Sequence, residues 1–190
     1  MKVGLYFGSF NPIHIGHMAL ANYIVEFAEV DEVWFVVSPQ NPFKERKSLL
    51  DENFRYDIVY EAIKGDSRFK VSNIEFGLSK PSFTCDTLVA LKEKHPQNEF
   101  SLIMGEDNLT GLHKWKNADY ILKYFNILVY PRFGASLSDL HKHPKVKLID
   151  APKIEISSSF IRKSIQDKKD VSWFLPLNSW LLIDKEGFYI

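Results

Sequence analysis

The sequence predicts an α/β fold with a doubly wound, mainly parallel sheet that carries helices on both faces. Apolar segments of strand length alternate with segments whose apolar residues recur at helical spacing, as in repeated strand–helix–strand units. The predicted strands are almost continuously apolar, which indicates burial on both faces of the sheet. The composition, 45% hydrophobic and 25% charged, is that of a globular chain and excludes general disorder.

The elements of the first half are defined by short apolar segments and by the residues that stop them. The first strand, Lys2–Phe7, is β-prone and ends at Gly8, and the first helix, Ile15–Ala28, has apolar residues at helical spacing. A second helix stops near Gly65, because glycine is a frequent helix terminator. The other predicted elements up to residue 94 are strands at Glu32–Ser38 and Phe69–Phe76 and helices at Asn53–Lys64 and Thr84–Lys94.

The second half of the chain continues the alternation. Glu99–Met104 is a buried strand, and the serine-rich start of Ser157–Gln166 is typical of a helix N-terminus. A last helix ends near Gly187. The remaining predicted elements are strands at Phe125–Tyr130 and Val146–Ile149 and helices at Asn117–Lys123 and Leu175–Asp184. We interpret the chain as one Rossmann-like domain over residues 1–190, in which residues 157–190 form a C-terminal helical part.

Charge and cysteine content exclude several classes of protein. Lys+Arg and Asp+Glu both number 24, so the chain lacks the basic surplus that a general nucleic-acid binder needs. The single cysteine, Cys85, excludes an intramolecular disulfide and a CxxC zinc site, and it fits a reducing compartment. The sequence has no signal-peptide pattern and no apolar run of about 18 residues. We therefore expect a cytoplasmic protein that binds neither nucleic acid nor membranes.

The loops that follow the predicted strands are the expected ligand-binding region. In open parallel sheets, ligands bind beyond the carboxyl ends of the strands. The segments at that edge are Gly8–His17, Ser38–Lys47, Gly105–Trp115 and Tyr130–Arg132. These segments also have the least ordinary composition in the chain, so two independent arguments indicate the same edge.

The first segment, GSFNPIHIGH at residues 8–17, joins a strand to a helix. Its glycine and serine offer main-chain N–H groups and a hydroxyl. His14 and His17 lie three residues apart and therefore share one face at the positive helix N-terminus, which favours an anion such as a polyphosphate. The alternatives are an ordinary turn with two surface histidines and a metal site. The metal site is less favoured because no third ligand lies nearby.

The second segment, ISSSFIR at residues 156–162, places three serines and an arginine at a helix start. Helix capping requires only one of these serines. The remaining hydroxyls, the free N–H groups and the planar guanidinium of Arg162 predict a second phosphate cradle.

Together these segments resemble the (S/T)FDPxHxGH and ISSTxIR motifs of the nucleotidyltransferase superfamily of adenylyltransferases and cytidylyltransferases. Asn11 stands where the first motif usually has Asp; it keeps the oxygen and loses the charge. Within the superfamily, the chain resembles the bacterial nicotinate-mononucleotide adenylyltransferases over nearly its whole length. The segments that carry this likeness are Pro81–Thr87 (PSFTCDT), Gly105-Glu106-Asp107, His113-Lys114-Trp115, Tyr130-Pro131-Arg132 and the tail from Pro176 to Tyr189. The loop Asn41–Arg46 matches least, because Phe43 replaces the histidine of the family's PPHK while Lys44 aligns.

This resemblance implies an enzyme of NAD biosynthesis that transfers AMP from ATP to nicotinate mononucleotide, giving deamido-NAD and pyrophosphate. It implies catalytic roles for His14, His17, Ser158 and Arg162. It implies ATP-binding roles for Gly8, Ser9, Phe10, Gly105, Asp107, Ile156 and Ser159. It implies mononucleotide-binding roles for Lys44, Thr84, Trp115 and Arg132. Mg²⁺ is expected to be held mainly by substrate phosphates and water, with no metal ligand from the protein.

Other interpretations of these residues and of the chain stay open. Trp115 could be a half-buried surface anchor, Asp107 could cap a helix, and Lys44 and Arg132 could be solvated charges.

The alternatives for function are phosphopantetheine adenylyltransferase, whose motifs lack the Trp115 and PSFTCDT features, and a non-catalytic nucleotide-sensing module. A dinucleotide oxidoreductase is excluded because the first turn lacks the G-x-G-x-x-G pattern. The oligomeric state is open, with a homodimer as one alternative.

Overall fold

The computed structural model describes residues 1–39, 49–136 and 138–190. Its strands are β1 Lys2–Gly8, β2 Glu32–Val37, β3 Phe69–Ser72, β4 Glu99–Gly105, β5 Asn126–Tyr130 and β6 Val146–Leu148. Its α-helices are α1 Ile15–Phe27, α2 Glu52–Ile63, α3 Thr84–Lys94, α4 Glu106–Gly111, α5 Ala118–Tyr124, α6 Ser158–Gln166 and α7 Leu177–Glu186. Among these described elements, no helix has the length and apolar character needed to span a membrane.

The six described strands form one sheet in the order β3-β2-β1-β4-β5-β6, and every ladder is parallel. The order reverses on the two sides of β1, which pairs with β2 on one edge and with β4 on the other. This confirms the predicted doubly wound, Rossmann-like topology. The carboxyl ends of β1 and β4 therefore form the switch point at which such folds bind ligands.

Side chains on the two faces of the sheet build two separate cores. On β2, Val33 and Phe35 point into one core, whereas Trp34 and Val36 point into the other. Helices α1, α2, α6 and α7 cover the first face through buried residues such as Ile24, Ile58, Ile161 and Ile183. Helices α3, α4 and α5 cover the second face through Leu88, Leu91, Leu109 and Ile121. Helices therefore cover both faces, as the near-continuous apolar strands predicted.

The strand predicted at Phe69–Phe76 was wrong in its second half. The strand ends at Ser72, and residues Ile74–Gly77 form a 3₁₀ turn. The cause is Glu75, whose buried carboxylate accepts hydrogen bonds from the hydroxyls of Ser82 and Thr87. A continued strand would not hold this carboxylate against both hydroxyls.

Helix α4 was not predicted, since Gly105–Trp115 was interpreted as a loop. The helix has only six residues, too few to show helical periodicity in the sequence. Two acidic residues in its first turn suit the positive helix N-terminus, and Leu109 is fully buried beneath it.

The last helix begins at Leu177, two residues later than predicted, and ends as predicted at Gly187, which has a φ of 65°.

Candidate active site

A cleft of about 730 Å³ lies at the carboxyl ends of β1, β4 and β5, between the N-terminal ends of α1 and α6. The predicted site residues that line it are Gly8, Ser9, Phe10, His14, His17, Asp107, Arg132, Ile156, Ser158, Ser159 and Arg162. Gly105, Thr84 and Trp115 are not among its lining residues. Lys44, with the rest of the predicted loop Asn41–Arg46, lies outside the described residues. The cleft thus brings together segments from both ends of the chain.

His14 is the N-cap residue of α1 and is only 5% exposed. Its ring stacks on that of His17, with 3.7 Å between the ring centroids. Burial, assisted by the charge of Arg132, lowers the pKa of His14 to about 4. The imidazole is therefore neutral at neutral pH. Gly16 leaves room for this ring, because a Cβ there would lie 3.1 Å from His14 Nδ1.

His17 has its ring orientation fixed by the main chain. Its Nδ1 accepts a hydrogen bond from the backbone N–H of His14 at 3.2 Å. A neutral imidazole that accepts through Nδ1 carries its proton on Nε2. The ring also packs edge-on against Phe10, with a centroid distance of 5.2 Å. The structure therefore sets Nε2 as the hydrogen-bond donor of His17.

Phe10 shapes the turn that precedes these histidines. It is 2% exposed, has a φ of 43° in the left-handed region, and packs against Phe35 at a centroid distance of 5.5 Å. A Cβ at Gly8 would lie 2.8 Å from its ring. Gly8, which was expected to offer its main-chain N–H to a ligand, thus also makes room for this phenylalanine.

The three serines at the start of α6 have three different contacts. The Ser157 hydroxyl oxygen accepts from the Phe160 N–H at 3.1 Å and caps the helix. The Ser158 hydroxyl donates to the Pro12 carbonyl at 2.8 Å. The Ser159 hydroxyl oxygen accepts from Arg162 Nη2 at 3.3 Å. One serine suffices for capping, as predicted, and the other two face the first motif and the arginine.

Arg162 completes the link between the two motifs. Its Nη1 donates to the Asn11 carbonyl at 2.7 Å, across 151 residues of sequence. The side chain of Asn11 is buried, and its Oδ1 accepts from the Leu50 N–H at 3.2 Å. An amide oxygen makes this contact as a carboxylate oxygen would, so Asn in place of Asp keeps a hydrogen bond to the segment that precedes α2, where Leu49 lines the cleft.

Asp107 and Arg132 form an ion pair at the mouth of the cleft, with 3.6 Å between Arg132 Nε and Asp107 Oδ1. Both side chains are about half exposed. Gly105 allows this approach, because a Cβ there would collide with the Asp107 carboxylate. The Arg132 N–H also donates to Glu106 at 3.0 Å. A cation and an acceptor for hydroxyl groups therefore lie side by side beyond the carboxyl ends of β4 and β5.

Comparison with known proteins identifies the family. A Cytidylyltransferase-like family model matches residues 5–164. A Flavobacterium johnsoniae protein named "Probable nicotinate-nucleotide adenylyltransferase" is 51% identical over 191 residues, covering 100% of this chain and 99% of the relative. A Christiangramia forsetii protein of the same name is 48% identical, covering 99% and 98%. The chain belongs to the nicotinate-nucleotide adenylyltransferase family.

Solved structures of this family share the fold. The Plasmodium falciparum nicotinic acid mononucleotide adenylyltransferase complexed with NaAD superposes with a TM-score of 0.80 at 23% identity, covering 99% of this chain and 97% of that chain. The same protein complexed with APC gives a TM-score of 0.80 at 24% identity, covering 99% and 96%. These structures support the predicted α/β fold, and the family predicted from the motifs is confirmed by the curated relatives.

Two further family motifs meet outside the cleft lining. Thr84 begins α3, and Trp115 is partly buried against the second core. The segments that contain them are joined by an ion pair between Lys116 and Asp86 at 2.8 Å and by the Asn117 amide, 3.7 Å from the sulfur of Cys85. The half-buried tryptophan fits both the predicted stacking role and the alternative of a surface anchor.

Sequence reasoning missed Arg55, which has no exposed surface and donates to the Ser9 carbonyl of the cleft. A signal for its burial existed, because position 55 shares a helix face with the apolar Ile58 and Val59.

The sequence analysis also missed the buried Glu75. Burial raises the pKa of this carboxyl against the effect of its hydroxyl donors. Within the predicted strand, nothing distinguished Glu75 from a solvated side chain.

Proposed function

We propose that this chain transfers AMP from ATP to nicotinate mononucleotide, giving deamido-NAD and pyrophosphate, as a step of NAD biosynthesis. The observation that carries the proposal is the meeting of the two phosphate motifs in one cleft. There, the stacked pair His14–His17 and the guanidinium of Arg162 lie around the same turn. The relatives at about half identity carry the name of this activity over their full length.

The reaction is an in-line displacement at the α-phosphorus of ATP. A phosphate oxygen of the mononucleotide forms the new P–O bond, and the bond between the α-phosphorus and its β-bridging oxygen breaks. The electron pair of that bond leaves with pyrophosphate. The attacking oxygen is already anionic, so no general base and no covalent intermediate are required. Catalysis then rests on positioning and on stabilising the charge that develops on pyrophosphate.

The cleft residues suit that task. His17 would donate through Nε2, and His14 would act as a neutral polar group, because its pKa of about 4 keeps it uncharged at neutral pH. Arg162 supplies a planar fork of donors that matches phosphate oxygens. Ser158 holds the start of α6 against the turn through the Pro12 carbonyl. His17, Ser158 and Arg162 are thus fixed by main-chain contacts before a nucleotide arrives, as electrostatic preorganisation requires.

The two substrates would occupy neighbouring parts of this edge of the sheet. We assign the ATP phosphates to the turn at Ser9 and the adenosine to the region of Gly105, Asp107 and Ile156. The pyridine ring is assigned to the joined segments of Thr84 and Trp115, with Arg132 between the two regions. Lys44 is assigned to the mononucleotide by the family motif alone.

ATP is expected to enter as its magnesium complex. Among the described residues, no group of three or more His, Cys, Asp or Glu side chains could hold a metal ion. Substrate phosphates and water are the usual ligands of Mg²⁺ in such sites. The ion would neutralise phosphate charge as part of the substrate, while the chain's own donors orient the nucleotide.

Pyrophosphate release tests the proposal. ATP is combined with nicotinate mononucleotide, with nicotinamide mononucleotide and with phosphopantetheine, and the products are identified by mass spectrometry. Deamido-NAD and one pyrophosphate per turnover are expected with the first acceptor. Turnover with phosphopantetheine alone would instead identify the second transferase. ATP binding without turnover on any acceptor would identify a sensing module.

We also propose a cytoplasmic location. The one cysteine of the sequence, Cys85, is free and buried, which suits a reducing compartment. Cell fractionation of the native organism tests this, with the activity expected in the soluble cytoplasmic fraction.

A further inference from the structure

Arg55, on α2, is the largest side chain in the described part of the structure that is fully buried. Within the described residues it donates four hydrogen bonds, all of them to main-chain carbonyls. Nε donates to Leu50 at 2.7 Å, Nη1 donates to Ser9 at 2.6 Å and to Ser38 at 2.8 Å, and Nη2 donates to Pro39 at 2.9 Å. No carboxylate of a described residue is among these partners.

The four carbonyls belong to three separate segments at the edge of the cleft. Ser9 follows β1, Ser38 and Pro39 follow β2, and Leu50 precedes α2. Ser9 and Leu49 both line the cleft. One side chain on a helix of the core therefore joins the turn that carries the first motif to the loops on the adjacent side of the cleft.

This contact has the chemistry of a positioning device. A guanidinium presents five N–H donors in a rigid plane, so it can fix several carbonyls in one geometry. An apolar side chain of similar volume would fill the space without the desolvation of a charge. A second hydrogen bond supports the same rim, because Asn11 Oδ1 accepts from the Leu50 N–H at 3.2 Å. Leu50 is thus held at both its N–H, by Asn11, and its carbonyl, by Arg55.

We propose that Arg55 is a positioning residue for nucleotide binding and transfer, acting by holding the Ser9 main chain and the Leu49–Leu50 rim in the arrangement that receives the ATP phosphates. The catalytic importance of the site rests on the function proposed above. Arg55 would not contact the phosphates itself, because its guanidinium acts on them through the Ser9 carbonyl that it holds. A displacement of about 1 Å in such a shell costs up to about a hundredfold in rate, even when the chemical groups are all present.

The test compares Arg55→Lys and Arg55→Met with matched changes at Arg68. Arg68 lies just before β3, at the amino end of that strand, whereas the cleft lies at the carboxyl ends of the strands. Its side chain forms ion pairs with Asp66 and Glu26 on the surface. Arg55→Lys keeps the charge but has one donor nitrogen, which cannot span four carbonyls. Arg55→Met removes the charge at similar volume. The ATP Kd is measured by calorimetry and the kinetics by pyrophosphate release, both well below each variant's Tm.

For Arg55→Lys we expect kcat/KM for ATP to fall by about tenfold to a hundredfold, with a several-fold rise in the ATP Kd. The Arg68 variants are expected to match the wild type. An unchanged Kd and kcat/KM in a folded Arg55→Lys protein with a lowered Tm would overturn the proposal and leave only a structural role. Arg55→Lys decides the question if Arg55→Met does not fold. Absence of turnover in the wild type would contradict the proposed function, whereas the ATP Kd still tests Arg55.

Discussion

His17 is the residue whose chemistry is most narrowly set by its contacts, since its Nδ1 accepts from the main chain and its proton therefore lies on Nε2. For His17→Ala we expect a fall in kcat of about 10²- to 10³-fold, the usual loss when one preorganised donor to developing charge is removed. The fold should be intact by circular dichroism. His143→Ala, outside the cleft lining, is the matched control. A His17→Ala enzyme within a few-fold of the wild type would falsify this role.

Arg162 donates through two different guanidinium nitrogens, one to Asn11 in the first motif and one to Ser159 in its own motif. A lysine ammonium cannot reproduce this planar geometry. We therefore expect Arg162→Lys to lower kcat/KM by about tenfold or more, in steady-state kinetics with ATP varied. Arg68→Lys is the control, because that surface arginine forms its ion pairs at the amino end of β3, away from the cleft. Near-normal kinetics for Arg162→Lys would mean that only a point charge is needed.

His14 makes stability depend on pH, because its pKa is about 4 in the folded chain and 6.5 when unperturbed. Between these values the unfolded chain binds more protons, so the free energy of unfolding rises with pH and is fully regained above about 6.5. From about pH 7.5 to about pH 5, this group should account for a loss of about 2 kcal/mol. Urea unfolding of the wild type and of His14→Gln at both pH values measures it. Equal losses in the two proteins would contradict the assignment.

At the scale of elements, Glu75 connects the 3₁₀ turn at residues 74–77 to the start of α3. Its buried carboxylate accepts from Ser82 at 3.0 Å and from Thr87 at 2.8 Å. For Glu75→Ala we expect the free energy of unfolding to fall by about 1–3 kcal/mol, because the hydroxyls lose their acceptor inside the protein. Chemical denaturation measures this. Glu93→Ala, on the exposed face of α3, should leave stability within about 0.5 kcal/mol of the wild type.

The elements that the sequence predicted best are those with a local signal. Helix α1 repeats apolar residues over 13 positions, and α7 ends at a glycine in the left-handed conformation. The sequence failed where a tertiary contact decides the local structure. Glu75 ends β3 early because of hydroxyls 7 and 12 residues away. Helix α4 is too short for periodicity and depends on the burial of Leu109.

The residues of the candidate site also differ in whether the sequence alone indicates them. Residues 8–17 and 156–162 are contiguous motifs, so their residues could be named from the sequence alone. Arg55 could be predicted only as a buried residue on the apolar face of α2, because the Ser9 carbonyl that it contacts is 46 residues away in the sequence. The different contacts of Ser157 and Ser158 were equally hidden, since either serine could have capped α6.

At the scale of the whole molecule, we expect a preference for nicotinate mononucleotide over nicotinamide mononucleotide. Thr84 and the main-chain N–H groups near Trp115 are neutral donors, and a carboxylate accepts from every donor. An amide would place its NH₂ against one of them, at a cost of about 1–3 kcal/mol, or about 10- to 100-fold in kcat/KM. Steady-state kinetics with both mononucleotides measures the ratio. Comparable kcat/KM values would mean dual specificity.

Trp115→Ala provides a check on that argument. Stacking on an indole ring does not distinguish an acid from an amide, so we expect the variant to raise KM for both mononucleotides by the same factor. The KM for ATP should be unaffected. A change in the acid-to-amide ratio in this variant would show that the tryptophan itself contributes to the choice.

The bonds from Ser158 to Pro12 and from Arg162 to Asn11 span 146 and 151 residues, and this has a consequence during translation. The strands of the described sheet have all been synthesised once residue 148 is added, whereas the contact between the two motifs requires residue 162. At about 5–20 residues per second, a nascent chain carries the first of these two motifs without the second for roughly 8 to 30 seconds. Under the proposed function, we expect ATP to stabilise the chain only after residue 162 has emerged, so that the earlier nascent chain depends on the packing of its own sheet.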